Sequence, residues 1–229
     1  MAPQPLSRTR HEAKPVFGGY AASLRPFHAM RVGKALAYSA DIEGHIIDVL
    51  AEMLGEHGNG AAAIYMALRS ANAQTAAIEA IAATELDHEN SRRLSIIQGL
   101  AVVANKHRNR FAHWLWGAAD ELPDHLLFLD PSHHRPRAIN RAYVLNKCVA
   151  SGDFTGLGEA LGYDPSHVLC YSLSDLDEAV EGIFRAGSLL SLFANSISKH
   201  NPLSQQLGEL LGSQREIATG IAVEVPSGA

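Results

Sequence analysis

Apolar residues recur every three or four positions along most of the chain, which is the period of amphipathic helices. The first such stretch covers 36–55, and the second is the alanine-rich stretch 61–86. A third runs from about Glu89 to Trp116, and Gly117 follows it. Its stripe consists of Leu94, Ile97, Ala101, Ala104, Phe111 and Leu115. The pattern therefore predicts three long helical stretches in the first half of the chain.

The pattern changes between 120 and 172, where four prolines interrupt it. Three short apolar runs in this interval, at 125–129, 142–145 and 168–171, are typical of a small hairpin or a few edge strands. Ser174 begins a last helical stripe, and Pro202 ends it. We therefore expect a mainly α fold, an antiparallel helical bundle of four to five helices. A small β-hairpin-like insert would precede its last long helix.

Three segments follow from this pattern. Residues 1–35 are basic and lack the apolar core of a secretory signal, so we expect a flexible N-terminal arm, although an organellar transit peptide has a similar arginine content. Residues 36–200 form the helical domain, with the insert at about 120–172. Residues 201–229 form a C-terminal tail with few structural signals.

Composition places the chain among globular proteins. It has 229 residues, 47% of them hydrophobic, and a formal net charge of -5. No stretch reaches the roughly 18 apolar residues that a membrane helix needs, so we expect a protein that does not enter a membrane. Its two cysteines, Cys148 and Cys170, make no disulfide framework and have no zinc-ligand spacing. They suit a reducing, cytoplasmic setting.

The net charge hides an uneven distribution. Residues 1–40 carry six Lys/Arg against one Glu, and 90–152 carry nine against four acids. Acids outnumber bases by nine to one in 41–89 and by ten to three in 153–229. The overall charge argues against a protein that coats nucleic acid, but a local basic site stays open.

Arg108 stands at the next position of the stripe in the third helix, where a guanidinium needs a carboxylate, an interface or a cleft. On an ideal helix Trp116 lies about 80° from it, Asn109 about 100° and His113 about 140°. Asn105 falls in the same sector, Lys106 and Arg110 flank it, and no acid occurs from 91 to 119.

These residue types suit a phosphodiester. The histidine can transfer a proton near neutral pH, and the arginine can hold the phosphate and offset developing charge. An asparagine can orient either group, and an aromatic side chain can stack on a base. Together they make this part of the helix a candidate phosphodiester site. The residues expected to bind substrate are Asn105, Lys106, Arg110 and Trp116.

The string Arg108-Asn109-Arg110-Phe111-Ala112-His113 resembles the R-N-x-x-x-H motif of HEPN domains, and its place late in a long helix is also similar. The resemblance covers about 36–200 and implies an endoribonuclease that needs no metal or other cofactor and attacks with the RNA 2′-hydroxyl. Carried over to this chain, it implies that Arg108, Asn109 and His113 are the catalytic residues, with Asn109 positioning the other two. It also implies a homodimer with both motifs in one cleft, and an antitoxin-type protein partner. The family's frequent upstream acid is absent, and Asn105 or Asn109 would serve in its place.

Two other interpretations remain open. Arg108 could pair with an acid such as Asp41 or Glu43, in a non-catalytic helical module for dimerisation or scaffolding. Glu85 and His88 form an E-x-x-H string, which binds paired metals in ferritin-like bundles. A metal-binding helical bundle is therefore the other alternative, but no second copy of that string occurs, and we assign no metal ligands.

Overall fold

The computed structural model of the chain describes residues 3–152 and 164–220, with the backbone alone at 134–138 and 141. The fold is mainly α with a small antiparallel sheet, which confirms the predicted fold class. The helices are α1 (Leu6–Thr9), α2 (Ala21–Leu24), α3 (Pro26–Leu54), α4 (Gly58–Ala67), α5 (Ala71–Glu85), α6 (His88–His113), α7 (Pro131–Ser151), α8 (Leu173–Ile197), α9 (Ser204–Gly212) and α10 (Arg215–Thr219). The strands are β1 (Gln4–Pro5), β2 (Val16–Phe17), β3 (Leu115–Ala118), β4 (His125–Leu129) and β5 (Val168–Ser172). Short 3-10 turns cover Gly55–His57 and Pro165–His167.

The chain divides into two compact units, whereas the sequence pattern predicted one domain over 36–200. The first, which we call the sheet unit, contains Met1–Lys34 and Arg108–Glu178. The second, the helix unit, contains Ala35–His107 and Ala179–Ala229. Helices α3, α6 and α8 each contribute residues to both units. Because a continuous helix carries its apolar stripe without interruption, the periodicity gave no signal of this division.

The sheet unit is built on five antiparallel strands in the order β1-β5-β4-β3-β2. The residues of β4 and β5 are almost all buried, so both faces of the sheet are covered. This explains why both strands are continuous apolar runs rather than alternating ones. One face holds Leu127 and Cys170, a directly opposed pair, and the other holds Leu126 and Tyr171.

The N-terminal segment is part of this sheet unit instead of the flexible arm that we expected. Strand β1 pairs with β5, and β2 pairs with β3, so the segment supplies both outer strands. Leu6 is 1% exposed in the core beneath β5. Gly117 of β3 is required here, because a Cβ atom at that position would lie 2.5 Å from the Phe17 ring. Pairing with distant strands and burial of Leu6 order a segment whose local composition resembles a linker.

The insert at 120–172 contains more helix than predicted. Two of its three apolar runs are strands, β4 and β5, but the run at 142–145 lies within α7. The start of α7 has a clear local cause, because the Asp130 carboxylate accepts a hydrogen bond from the Ser132 amide at 2.8 Å. Pro131 occupies the first helical turn, where its missing N–H costs nothing. The helix that starts at Asp130 and Pro131 therefore continues through the apolar run at 142–145, which was predicted as a strand.

The cap of helix α8 is Ser172, two residues before the expected cap at Ser174, and the helix begins at Leu173. Ser172 and Asp175 form a reciprocal capping arrangement instead. The Ser172 amide donates to Asp175 Oδ2 at 2.9 Å, and the Asp175 amide donates to Ser172 Oγ at 3.2 Å. A hydroxyl followed three residues later by a carboxylate therefore does start the helix, but the pair is Ser172 and Asp175, two residues earlier than expected.

The helix unit has its core along the inner stripes of α3, α6 and α8. Buried residues include Val49 and Leu50 of α3, Leu94 and Ile97 of α6, and Leu190 of α8. Among the described residues, no helix is both long enough and apolar enough to cross a membrane.

The C-terminal segment of the helix unit is helical up to residue 219, whereas we expected a tail with little structure. Leu211 of α9 and Ile217 of α10 are buried. Arg185 donates to Glu216 at 2.9 Å, and the Arg92 guanidinium reaches the Ile217 carbonyl at 3.4 Å. The hydrogen bond from Arg185 lowers the pKa of Glu216. Positions 221–229 of the expected tail lie outside the described residues.

Candidate functional site

The candidate site lies in the last turns of α6, which ends at His113 immediately before the β3–β4 hairpin. The predicted stripe of this helix is confirmed at Leu94, Ile97, Ala104 and Phe111, each at most 2% exposed. Phe111 is the last of these, and the residues around it on α6 carry the R-N-x-x-x-H motif. The buried stripe therefore fixes which side of the helix presents the motif.

An aromatic cluster fixes the end of α6 against the sheet. The Phe111 ring centre lies 5.4 Å from that of Phe128 and 5.5 Å from that of Tyr171. Phe128 and Tyr171 are themselves 5.1 Å apart, and the Trp116 ring lies 5.8 Å from Phe128. Tilted and edge-on ring pairs of this kind stabilise by about 0.5–1.5 kcal/mol each beyond their burial.

Sequence reasoning missed the positioning role of Phe128 and Tyr171. Both stand in apolar runs that were predicted as strands. The available signal was that each run was apolar at consecutive positions, which indicates burial on both faces. That signal does not indicate which helix covers the sheet, so the ring contacts of Phe128 and Tyr171 with Phe111 could not be predicted.

Arg108 makes two side-chain contacts, both with residues of its own motif. Its Nη1 donates to Asn109 Oδ1 at 3.1 Å, and the same nitrogen lies 3.3 Å from Nε2 of His113. The structure thus joins the three residues that were predicted to be catalytic. Arg108 is half-buried, while Asn109 and His113 are exposed.

The described part of the sheet unit gives Arg108 no carboxylate partner. The ion pairs there join His11 to Glu12, Arg31 to Asp177, and His167 to Asp164. A guanidinium stays charged at every physiological pH, and here it faces an amide and an imidazole. Its positive charge is therefore left available for an anion.

The contact between Arg108 and His113 restricts the state of the imidazole. A guanidinium has only donors, so Nε2 must accept the hydrogen bond. In the neutral ring, this contact selects the tautomer with its proton on Nδ1 and sets Nε2, as the acceptor, beside a fixed positive charge.

Trp116 is not on the helical sector where we expected it. Because α6 ends at His113, Trp116 belongs to β3, and an angle measured around the helix does not apply to it. Its indole N–H donates to the Phe111 carbonyl at 3.0 Å, one of the free carbonyls at the helix end. Its ring packs on Phe128, so the side chain is part of the aromatic cluster.

Arg110 is also held away from the other motif residues. Its guanidinium lies 5.5 Å from the centre of the Trp114 ring, and Nη1 donates to the Tyr171 hydroxyl at 3.4 Å. Burial raises the pKa of Tyr171, so this hydroxyl stays neutral and can accept the bond. Arg110 therefore braces the end of α6 against β5.

Asn105 and Lys106 are exposed residues of α6 that belong to the helix unit. The described contacts of the sheet unit bring together Arg108, Asn109 and His113 without them. Their assignment as substrate-binding residues stays a prediction.

The E-x-x-H string does not have the geometry that a paired metal site needs. Glu85 is the last residue of α5 and His88 is the first of α6, so the two do not share a helix. Asp87 between them accepts a hydrogen bond from the Asn90 amide at 2.8 Å and starts α6. In the described ranges, no three His, Cys, Asp or Glu side chains are grouped so that they could hold a metal ion.

The site has the chemical components for acid–base work on an anionic ester. It offers one permanent cation, with an amide oxygen at 3.1 Å and an imidazole nitrogen at 3.3 Å from the same guanidinium nitrogen. No family model, no curated protein and no solved structure matches this chain.

Proposed function

We propose that this protein is a metal-independent endoribonuclease of HEPN type, with its active site at Arg108, Asn109 and His113. One observation carries the proposal: Arg108 Nη1 lies 3.3 Å from His113 Nε2 while also binding Asn109. This joins the three residues of the motif in one cluster without a carboxylate to neutralise them. The resemblance to HEPN domains supplies the reaction class.

In the proposed reaction, the substrate phosphate replaces His113 as the partner of Arg108. Nε2 of His113 is then free to take the proton of the RNA 2′-hydroxyl. The 2′-oxygen attacks phosphorus, the bond from phosphorus to the 5′-oxygen breaks, and that oxygen leaves with a proton from solvent. The products are a 2′,3′-cyclic phosphate and a 5′-hydroxyl end. Arg108 offsets the charge that builds on the phosphoryl oxygens, and Asn109 orients its guanidinium.

The wider proposal rests on the resemblance alone. It comprises a cytoplasmic homodimer with the two motifs in one cleft, an RNA substrate, and an antitoxin-type protein partner. Asn105, Lys106 and Arg110 would contact the RNA backbone in that dimer.

The test is an RNA cleavage assay in EDTA over several pH values, with varied RNA substrates and their all-DNA equivalents. We expect RNA to be cut and DNA to stay intact, because only RNA carries the nucleophile. Arg108→Ala and His113→Ala should each lower the rate by about 10²–10⁴-fold, the usual share of a general base or charge stabiliser. His11→Ala removes an exposed histidine outside the motif and is the matched control.

Two outcomes would overturn the proposal. One is that no RNA is cut under any condition, and the other is that His113→Ala cuts as fast as His11→Ala. A rate that vanishes on EDTA addition and returns with a divalent cation would contradict the metal-independent chemistry.

A second candidate, a non-catalytic interaction module, is favoured by exposed apolar side chains in the sheet unit. Phe27 and Met30 of α3 are 65% and 61% exposed, and Leu24 of α2 is 51% exposed. The three residues lie within seven positions of one another in the chain, and contiguous apolar patches on a surface mark interaction sites. Under this alternative, Phe27→Asp changes the oligomeric state measured by light scattering, and His113→Ala has no effect on any RNA.

A further inference from the structure

A groove in the helix unit is separate from the Arg108–His113 cluster and has the lining of a binding site. Its volume is 370 Å³, within the usual range for small-molecule sites. Helices α3 and α8 supply most of the walls, and Leu207 of α9 closes one side. The polar and aromatic lining residues are Tyr38, Asp41, His45, Phe184, Ser188, Ser191 and Asn195.

Gly187 of α8 lines the groove where this helix packs against α3. A Cβ atom built on Gly187 would lie 3.5 Å from Cγ1 of Ile42 and 3.9 Å from Cδ2 of His45. Next to this contact, the facing residues of the two helices are polar. Residues between packed helices are usually apolar. The lining is thus unlike the remainder of the core between these helices.

Three polar groups of the lining have no partner within the part of the chain that the structure describes. They are the Asp41 carboxylate and the hydroxyls of Ser188 and Ser191. Serines elsewhere in the same helices donate to their own backbone, as Ser39 does to the Ala35 carbonyl at 2.8 Å. Half-buried hydroxyls without such a bond can accept hydrogen bonds from a ligand.

One end of the groove has an aromatic wall. The ring centres of Tyr38 and Phe184 are 5.1 Å apart and the rings are tilted by 46°. Their faces carry partial negative charge and attract cations. At His45, the Nδ1 atom lies 3.3 Å from Asp48 Oδ2, so a second carboxylate adds to the negative potential of this region.

The charges around the groove have one dominant sign. Among the residues that the structure describes, no lysine or arginine lines it. The sequence of the helix unit holds seven Lys/Arg against thirteen Asp/Glu, whereas that of the sheet unit holds twelve against eleven. A carboxylate, aromatic faces and free hydroxyl oxygens all favour a ligand that carries a positive charge and N–H donors.

We propose that this groove binds a small organic ammonium compound. The ammonium group pairs with Asp41 and donates to Ser188 and Ser191, while its hydrocarbon part lies against Tyr38 and Phe184. This proposal concerns the helix unit alone and does not depend on the nuclease activity.

The test is isothermal titration calorimetry on the full chain, with the primary amines tyramine and putrescine as ammonium probes. 4-Ethylphenol and 4-hydroxyphenylacetate are the uncharged and anionic analogues of tyramine. We expect saturable one-to-one binding of at least one ammonium probe and none of the two analogues. Asp41→Asn should weaken that binding by about tenfold or more, because it removes a charge-assisted hydrogen bond.

The matched control is Glu43→Gln, which removes one negative charge from the same helix but does not line the groove. It should bind the probe within about twofold of the unaltered chain, a difference well under the tenfold step of 1.4 kcal/mol. Ser188→Leu is a second variant, designed to fill the groove without changing its charge, and it should also abolish binding. The proposal is overturned if no ammonium probe binds, or if Asp41→Asn and Glu43→Gln weaken binding equally.

Discussion

Arg108 and His113 are joined by a contact of 3.3 Å between Nη1 and Nε2, five residues apart at the end of α6. The arginine cannot give up its proton, so the histidine must be the acceptor. Any anion that binds Arg108 competes with this contact and frees the histidine nitrogen. The relationship therefore links binding of a phosphate to exposure of a base.

The first prediction concerns the tautomer of His113. In the free protein at a pH where the ring is neutral, its proton should reside on Nδ1, because Nε2 accepts from Arg108. Nitrogen-15 chemical shifts of the labelled imidazole distinguish the two tautomers directly. Arg108→Ala should restore a mixture of both. A proton found on Nε2 in the unaltered protein would show that the hydrogen bond does not form.

The second prediction concerns Gly58, where α4 begins against α3. A Cβ atom here would lie 2.6 Å from Cα of Ala51 and 3.0 Å from its carbonyl oxygen, and a backbone cannot move aside as a flexible side chain can. Gly58→Ala should therefore lower the free energy of unfolding by about 1–3 kcal/mol, the usual cost of overpacking. Urea unfolding followed by circular dichroism measures the change.

Gly60 in the same helix is the matched control, because a Cβ atom there meets nothing within 4 Å. Gly60→Ala should raise the free energy of unfolding by up to about 1 kcal/mol, since alanine favours the helix. If both variants shift stability in the same direction, the close contact at Gly58 is not as described.

The third prediction is a pH dependence of stability from His28. This side chain is 5% exposed, and Nε2 lies 3.0 Å from the Asp124 carbonyl. Burial lowers its pKa below the ordinary value of 6.5. The unfolded chain therefore takes up the proton first as pH falls. Above pH 6.5, His28 therefore makes its full contribution to the free energy of unfolding. This contribution is lost progressively as the pH falls from 6.5 to the lower pKa of the folded state.

Urea unfolding between pH 7.5 and 5.5 measures this effect as a fall in the free energy of unfolding. His28→Gln keeps an N–H donor for the Asp124 carbonyl and removes the titration, so its stability should vary less over the same interval. His11→Gln removes an exposed histidine as the control. Equal pH dependence in the His28→Gln variant and the unaltered chain would contradict the assignment.

The fourth prediction concerns the reactivity of Cys170. Burial raises the pKa of this thiol to about 11, and the residue is only 2% exposed in β5. Thiolate is the nucleophile, and two pKa units above the reference of 9.0 leave about a hundredfold less of it at pH 8. In a Cys148→Ser background, iodoacetamide should label Cys170 at least about a hundredfold more slowly in the native state than in urea.

Mass spectrometry of timed samples gives both rates. The Cys148→Ser change keeps the second buried thiol out of the measurement. Native labelling at a rate close to that in urea would mean that β5 opens readily to solvent.

Several elements of the fold were predictable because their causes are local. The stripes of α6 and α8 follow from a period that one helix imposes on its own sequence. The apolar runs of β4 and β5 are likewise short, continuous and bounded by turn residues. The Asp130-Pro131 start of α7 was equally local, and the strand-like run at 142–145 obscured it.

The candidate site was predictable only in part. Arg108, Asn109 and His113 lie within six residues of one helix, so helical geometry alone brings them near one another. Trp116 lies beyond the helix end, where the same geometry no longer holds. Phe128 and Tyr171, which fix Phe111, come from strands far along the chain, and no local rule connects them.

By itself, the sequence determined that the chain is mainly helical, about where α6 and α8 run, and which three residues lie together at the end of α6. Only the tertiary structure decided that α3 begins at Pro26 instead of 36, that residues 4–5 and 16–17 complete a sheet, that the chain divides at Lys34, His107 and Glu178, and that a polar groove lies between α3 and α8. The reason is the range of the interactions. Periodicity and capping act over a few residues, whereas the pairing of β1 and β2 and the contact of α3 with α8 join residues a hundred or more positions apart.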